Sequence, residues 1–205
     1  MSAPTRALAA RIVALAGICL LLTSAAAAAV DGHITGWITE PGVDPPSYAV
    51  TEPIDSNVNV DTVLLLCTER GRDRFLELDL YPSTEGPLLP DGADPQALKD
   101  APAVQISIDG ALFPAQLLFA DDYVLVANSP PHTPPSLSAS LLDAMERGET
   151  MVVRFDLLTE APGRAAAFDG QIVVDLSAGR SAIAAVRRCA SQRMLHQAST
   201  KGRRH

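Results

Sequence analysis

Two cysteines, Cys67 and Cys189, are the residues of this 205-residue chain whose chemistry is easiest to anticipate. In an oxidising compartment two thiols pair more readily than they stay free, so a Cys67–Cys189 disulfide is expected. It would close a loop of roughly 120 residues and, in the chain-entropy model, contribute at most about 4–5 kcal/mol. A paired cysteine offers no thiolate, so thiol nucleophilic catalysis is not expected. The four histidines, His33, His132, His196 and His205, are scattered, with no i,i+4 pair and no H-E-x-x-H spacing for zinc. No G-x-S-x-G elbow or S-x-x-K sequence activates a serine. Asp91, Asp94 and Asp100 miss the spacing and closing glutamate of an EF-hand. Asp121-Asp122 could form an acid–base pair, but neighbours on a strand point to opposite faces, so a hairpin turn is the better reading. Glu77 and Asp79 share a face, which alternation with Leu76, Leu78 and Leu80 accounts for on its own. No catalytic, cofactor-binding or metal-binding residue is assigned, and no cofactor is expected.

The compartment is read from the N-terminus. Arg6 and Arg11 precede the uncharged apolar run Ile12 to Leu22, and small residues follow to Ala29. This is the pattern of a signal peptide over 1–29, and the run is too short for a membrane span. Cys19 falls inside it, and Ile18 occupies the position where a lipobox needs a small residue. The expected location is therefore periplasmic or secreted, with no stable membrane span after cleavage. All 24 acidic residues lie between Asp31 and Asp175, against eight basic ones over residues 30–186. Such an acidic body argues against nucleic acid as a partner. Arg187, Arg188, Arg193, Lys201, Arg203 and Arg204 then make the C-terminus basic, and 191–205 reads as a disordered tail.

Residues 30–190 are the length of one domain. His33–Thr39 reads as a strand carrying the only tryptophan, Trp37, and Pro41–Asp61 as a long loop. Thr62–Cys67 is apolar throughout, suited to a central strand buried on both faces. Phe75–Leu80 alternates, and Pro82–Pro102 is a proline-rich surface excursion. Val104–Ile108, the Asp109-Gly110 turn and Leu112–Phe119 form a hairpin, with Pro114 marking an edge or bulge. Tyr123–Ala127 follows. Ser136 is the expected N-cap of a helix presenting Leu137, Leu141, Ala144 and Met145 and ending at Gly148. Met151–Leu158 and Ile172–Leu176 are further strands. Ser181 caps a last helix on which Ile183, Val186 and Cys189 share an apolar face. The expected fold is mainly β: an antiparallel β-sandwich with a mid-chain helix and a C-terminal helix.

From Leu141 to Cys189 the order is helix, Val-Val-Arg-Phe strand, Asp175-Leu176-Ser177-Ala178-Gly179, and a helix ending at a cysteine. This resembles the C-terminal part of small exported bacterial β-sandwich proteins, the invasion-associated locus B family and the type VI secretion-associated periplasmic accessory proteins. The chain departs from that pattern in lacking a middle cysteine pair and in placing Ala178 between Ser177 and Gly179. The resemblance implies an exported architecture and carries over no catalytic residues.

Function is therefore expected to be that of a non-enzymatic binding or accessory module of the bacterial envelope, its partner an unidentified protein or envelope component. The alternative is an envelope hydrolase drawing carboxylates from loops, such as Asp44, Asp91 or Asp121. The two proline-rich segments, 41–61 and 82–102, are the expected carriers of function.

Overall fold

The computed structural model describes residue 34 and residues 36–201, apart from 72, 84–85, 130–132, 161–162, 164 and 166, with side chains as far as 191. The expected signal segment 1–29 with Cys19, together with His33, His132 and His205, lies outside the described residues, as does the side chain of His196.

Among the described residues, ten strands and two α-helices follow in the order β1 (Ile38–Thr39), β2 (Tyr48–Thr51), β3 (Asp55–Ser56), β4 (Val60–Arg70), β5 (Asp73–Pro82), β6 (Leu98–Ile108), β7 (Ala111–Phe119), β8 (Val124–Ala127), α1 (Ala139–Arg147), β9 (Thr150–Leu158), β10 (Gly170–Asp175) and α2 (Arg180–Lys201). Every pairing is antiparallel, and the strands form one sheet in the order β1-β2-β4-β5-β8-β7-β6-β9-β10-β3.

The expected sandwich of two packed sheets is corrected to a single sheet curled into a half-barrel. The reason lies in β7. Its first half, Ala111–Ala115, pairs with β6, and its second half, Gln116–Phe119, pairs with β8. One strand thus hydrogen-bonds to both would-be sheets and joins them into one continuous, curled sheet. Pro114 sits in the half that has a partner on one side only, where its missing N–H costs no ladder bond.

The concave face carries the core. Leu65, Leu78, Leu80, Ile106, Val153, Phe155 and Ile172 are all buried there and belong to one hydrophobic cluster. The helices close it with Leu141 and Met145 from α1 and Ile183 and Val186 from α2. Arg187 ties the helices together, donating to Asp143 at 2.7 Å and Glu146 at 2.6 Å. Trp37 fastens the two margins of the sheet. It leads into β1, at one edge, and its Nε1 donates to the carbonyl of Asp175, at the end of β10 near the other. Gly179 lies flat under its indole: a Cβ there would come within 2.3 Å of the ring. The Asp175–Gly179 turn is held by Asp175 Oδ1, which accepts from Ser177 N at 2.8 Å and Ser177 Oγ at 2.6 Å.

Several element bounds differ from expectation. The 41–61 segment is not all loop, because Tyr48–Thr51 pairs between β1 and β4 and Asp55–Ser56 forms the edge strand beside β10. The N-cap of α1 is Ser138, whose Oγ accepts from Leu141 N; Leu137 instead donates its N–H to the carbonyl of Leu76 in β5. The last helix begins at Arg180 and its backbone runs on to Lys201, where a tail without structure was expected from 191. Residues 190–201 contain neither proline nor glycine, so nothing in them stops a helix before Gly202.

Candidate functional site

Cys67 and Cys189 form the expected disulfide, with Cα atoms 6.3 Å apart. Cys67 does not end its strand, which continues to Arg70, but it faces α2 from mid-sheet as anticipated. Arg74 lies beside the bond, its Nη1 3.6 Å from Cys189 Sγ. The bridge anchors α2 over β4 and β5 and positions no reactive group in a cleft, so its role is architectural.

The chemistry that sequence reasoning passed over lies on the convex face of the sheet. Antiparallel register aligns one row across six strands: Ile38, Val50, Leu64, Asp79, Leu125 and Leu118. A carboxylate therefore stands in the middle of an apolar row. Asp79 is 1% exposed, and its Oδ1 has no hydrogen-bond partner among the described residues. Glu77, two residues earlier on the same face, is also buried, and its Oε1 accepts from Arg70 Nη2 at 3.0 Å. Burial first, and then the negative charge of Glu77, pushes the Asp79 carboxyl up to about 7. Burial raises Glu77 as well, with the Arg70 guanidinium pulling the other way.

The signal was present in the sequence. Thr62–Cys67 was read as buried on both faces, and Val124–Ala127 is buried at every position. β5 lies between these two strands, so its second face, the Glu77–Asp79 face, had to be flanked by apolar side chains on both sides. What the sequence did not supply was the strand order that makes β4 and β8 its neighbours.

From Asp79 the same face of β5 leads to Tyr81, whose ring stacks on Tyr123 with centroids 5.6 Å apart. Burial, Asp79, Tyr123 and Asp122 together raise the Tyr81 phenol. Tyr123 in turn lines a cavity of about 540 Å³ at one end of the half-barrel, between the end of β5, the β7–β8 turn and residues Ser83, Gly86, Pro87 and Leu88. Its apolar wall is made by Pro87, Leu88, Val124 and Phe119, and Phe119 is 53% exposed. Asp121 and Asp122 stand in the same lining. A smaller cavity of about 200 Å³, reaching Leu98 and Leu157, adjoins it through Pro87, Leu88 and Phe119.

Two asparagine-bearing positions hold this end in shape. Asn59 donates from Nδ2 to Pro87 O at 3.0 Å, accepts at Oδ1 from Leu89 N at 2.7 Å, and accepts at its backbone carbonyl from Ser83 N at 2.8 Å. Asn57 accepts from Asp91 N at 2.9 Å, and Val58 bridges to Pro90. The two segments expected to carry function thus meet: 57–59 staples Ser83 and residues 87–91 across the end of the sheet. Leu88, the plug beneath, is 1% exposed.

The acids named for a hydrolase do not all converge here. Asp121 lines the cavity, Asp44 pairs with Arg188 at 3.1 Å, and Asp91 belongs to the stapled turn. Asp94 caps the short 3₁₀ turn Pro95–Ala97, accepting from Gln96 N. Asp100 lines the smaller cavity. Lys99 is bound by both Asp156 and Glu160, the latter at 2.7 Å. Among the described residues no group of three or more His, Cys, Asp and Glu is arranged to hold a metal ion. No described helix is long and apolar enough to cross a membrane. Compared with protein-family models, curated proteins and solved structures, the chain matches none.

Proposed function

We propose that this chain is an exported, periplasmic or secreted module of the bacterial envelope that binds a protein or envelope component without transforming it. The binding site is the cavity at the stapled end of the half-barrel. One observation carries this reading: the cavity wall presents a half-exposed Phe119, while Asp79, the acid whose carboxyl is raised to about 7, is sealed outside the cavity. A general acid poised near neutrality must reach its substrate to work. An exposed aromatic ring in a preformed hollow needs only a complementary surface. The Cys67–Cys189 bond is compatible with an oxidising compartment. Kinship with small exported accessory proteins of the invasion-associated locus B or type VI secretion-associated type belongs to the same proposal.

The second reading, an envelope hydrolase, draws on Asp121 and Asp122 standing together in the lining. One experiment separates the two. Purified protein is incubated with native envelope fractions and with isolated envelope polymers. The binding module retains an envelope component that Phe119→Ala releases, and it leaves the polymers intact. Turnover of a polymer that Asp121→Asn abolishes would replace this reading with the hydrolase.

A further inference from the structure

We infer that the ligand of the stapled-end cavity is an organic cation with an apolar body, an alkyl- or aryl-ammonium rather than a neutral lipid or an anion. This rests on the binding reading above and specifies its chemistry. The described lining contains two carboxylates, Asp121 and Asp122, and no lysine, arginine or histidine. The nearest basic group of the adjoining cavity, Lys99, is already committed to Asp156 and Glu160. An anion entering here would meet uncompensated negative charge at the β7–β8 turn. A cation would meet the two carboxylates and the Phe119 ring that line the cavity with them, and the negative face of such a ring attracts an ammonium.

The apolar part of the ligand follows from the rest of the wall. Leu88 and Val124 form a dry floor, and Pro82 and Pro87 add rigid apolar surface. At about 540 Å³ the space is within the ordinary range for small-molecule sites, roughly 300–1,000 Å³. A bare metal ion does not suit it, because two carboxylates on adjacent residues are the only charged ligands in the described lining. The Asn57 and Asn59 staples hold the segment over the cavity before anything binds, so little ordering is left to oppose association.

The test uses three probes of equal chain length on the full protein: octyltrimethylammonium, octan-1-ol and octanoate, each titrated by calorimetry. The expected order is cation, alcohol, carboxylate, with the cation about tenfold tighter than the alcohol, the equivalent of one charge-assisted contact. Asp121→Asn/Asp122→Asn removes the discrimination, with the cation falling to the affinity of octan-1-ol. Phe119→Ala weakens all three. Both sites are exposed, so these variants fold. Equal affinity for the three probes in the unsubstituted protein, or a preference that survives the double substitution, overturns the inference. If the probes bind equally but remain sensitive to Phe119→Ala, the cavity still binds and only its charge selectivity is refuted. If none binds and envelope capture does not depend on Phe119, the binding reading falls with it.

Discussion

Asp79→Asn should make the protein more stable, and the gain should grow with pH. In the folded chain the Asp79 carboxyl keeps its proton to about pH 7, whereas in the unfolded chain it loses it near the ordinary aspartate value of 3.8. Between those limits the folded state holds more protons than the unfolded state, so stability falls as pH rises. The contribution is fully present below about pH 3.8 and gone above about pH 7. The difference is about three pH units, and at 1.36 kcal/mol per unit it amounts to about 4 kcal/mol. Asparagine keeps the shape and does not ionise. It should match the parent protein at low pH, exceed it by about 2 kcal/mol at pH 5, and exceed it by about 4 kcal/mol at pH 8. Urea unfolding at pH 4, 5, 6, 7 and 8, with the disulfide intact, supplies both stabilities. Their difference cancels every other titrating group common to the two proteins. Glu77→Gln provides an internal check: removing the neighbouring charge lowers the Asp79 carboxyl, so the pH window of the loss moves down. A difference between Asp79→Asn and parent that stays flat from pH 4 to 8 would falsify the burial argument. A less stable Asp79→Asn at pH 8 would mean that the carboxylate has a partner when ionised.

Three further outcomes follow from the packing. Gly179→Ala places a methyl group against the Trp37 ring and should cost about 1–3 kcal/mol. Trp37 is the only tryptophan, so a shift of its emission maximum reads the displacement directly, and an unchanged spectrum and stability would refute the close contact. Cys67→Ser/Cys189→Ser should lose up to about 4–5 kcal/mol in denaturant unfolding. Hydrogen exchange should then rise first in α2, whose anchor over β4 is gone; uniform exchange across the sheet would contradict that. Ser138→Ala should cost about 1 kcal/mol, and Ser136→Ala clearly less, because Ser138 Oγ accepts from the first turn of α1. Equal losses would return the cap to Ser136.

Local patterns were legible wherever neighbouring residues alone decide conformation. The alternation of Leu76, Leu78 and Leu80, the Asp109-Gly110 hairpin and the apolar face of Ile183, Val186 and Cys189 all depend on side-chain periodicity, and all are as expected. The disulfide was legible for a related reason: a cysteine on a buried strand and one on the inward face of a helix have one core to share. The short strands at 48–51 and 55–56 were not legible. Their backbones pair only because β4 and β10 present open edges, which no local pattern records.

The candidate site shows the same division more sharply. Composition determined an acidic body, and the proline-rich stretches marked the two segments that meet beside the proposed binding cavity. Only the tertiary structure brought Asn59 across to Pro87 and Leu89, 28 and 30 residues away, and Asn57 to Asp91, and formed a cavity beside their meeting. Likewise, the sequence by itself placed Glu77 and Asp79 on one face of a strand. Whether that face met water or hydrocarbon was decided by strand order, which set Leu64 on one side of Asp79 and Leu125 on the other. Periodicity assigns a side chain to a face; only the neighbouring strands determine the dielectric that the face will see.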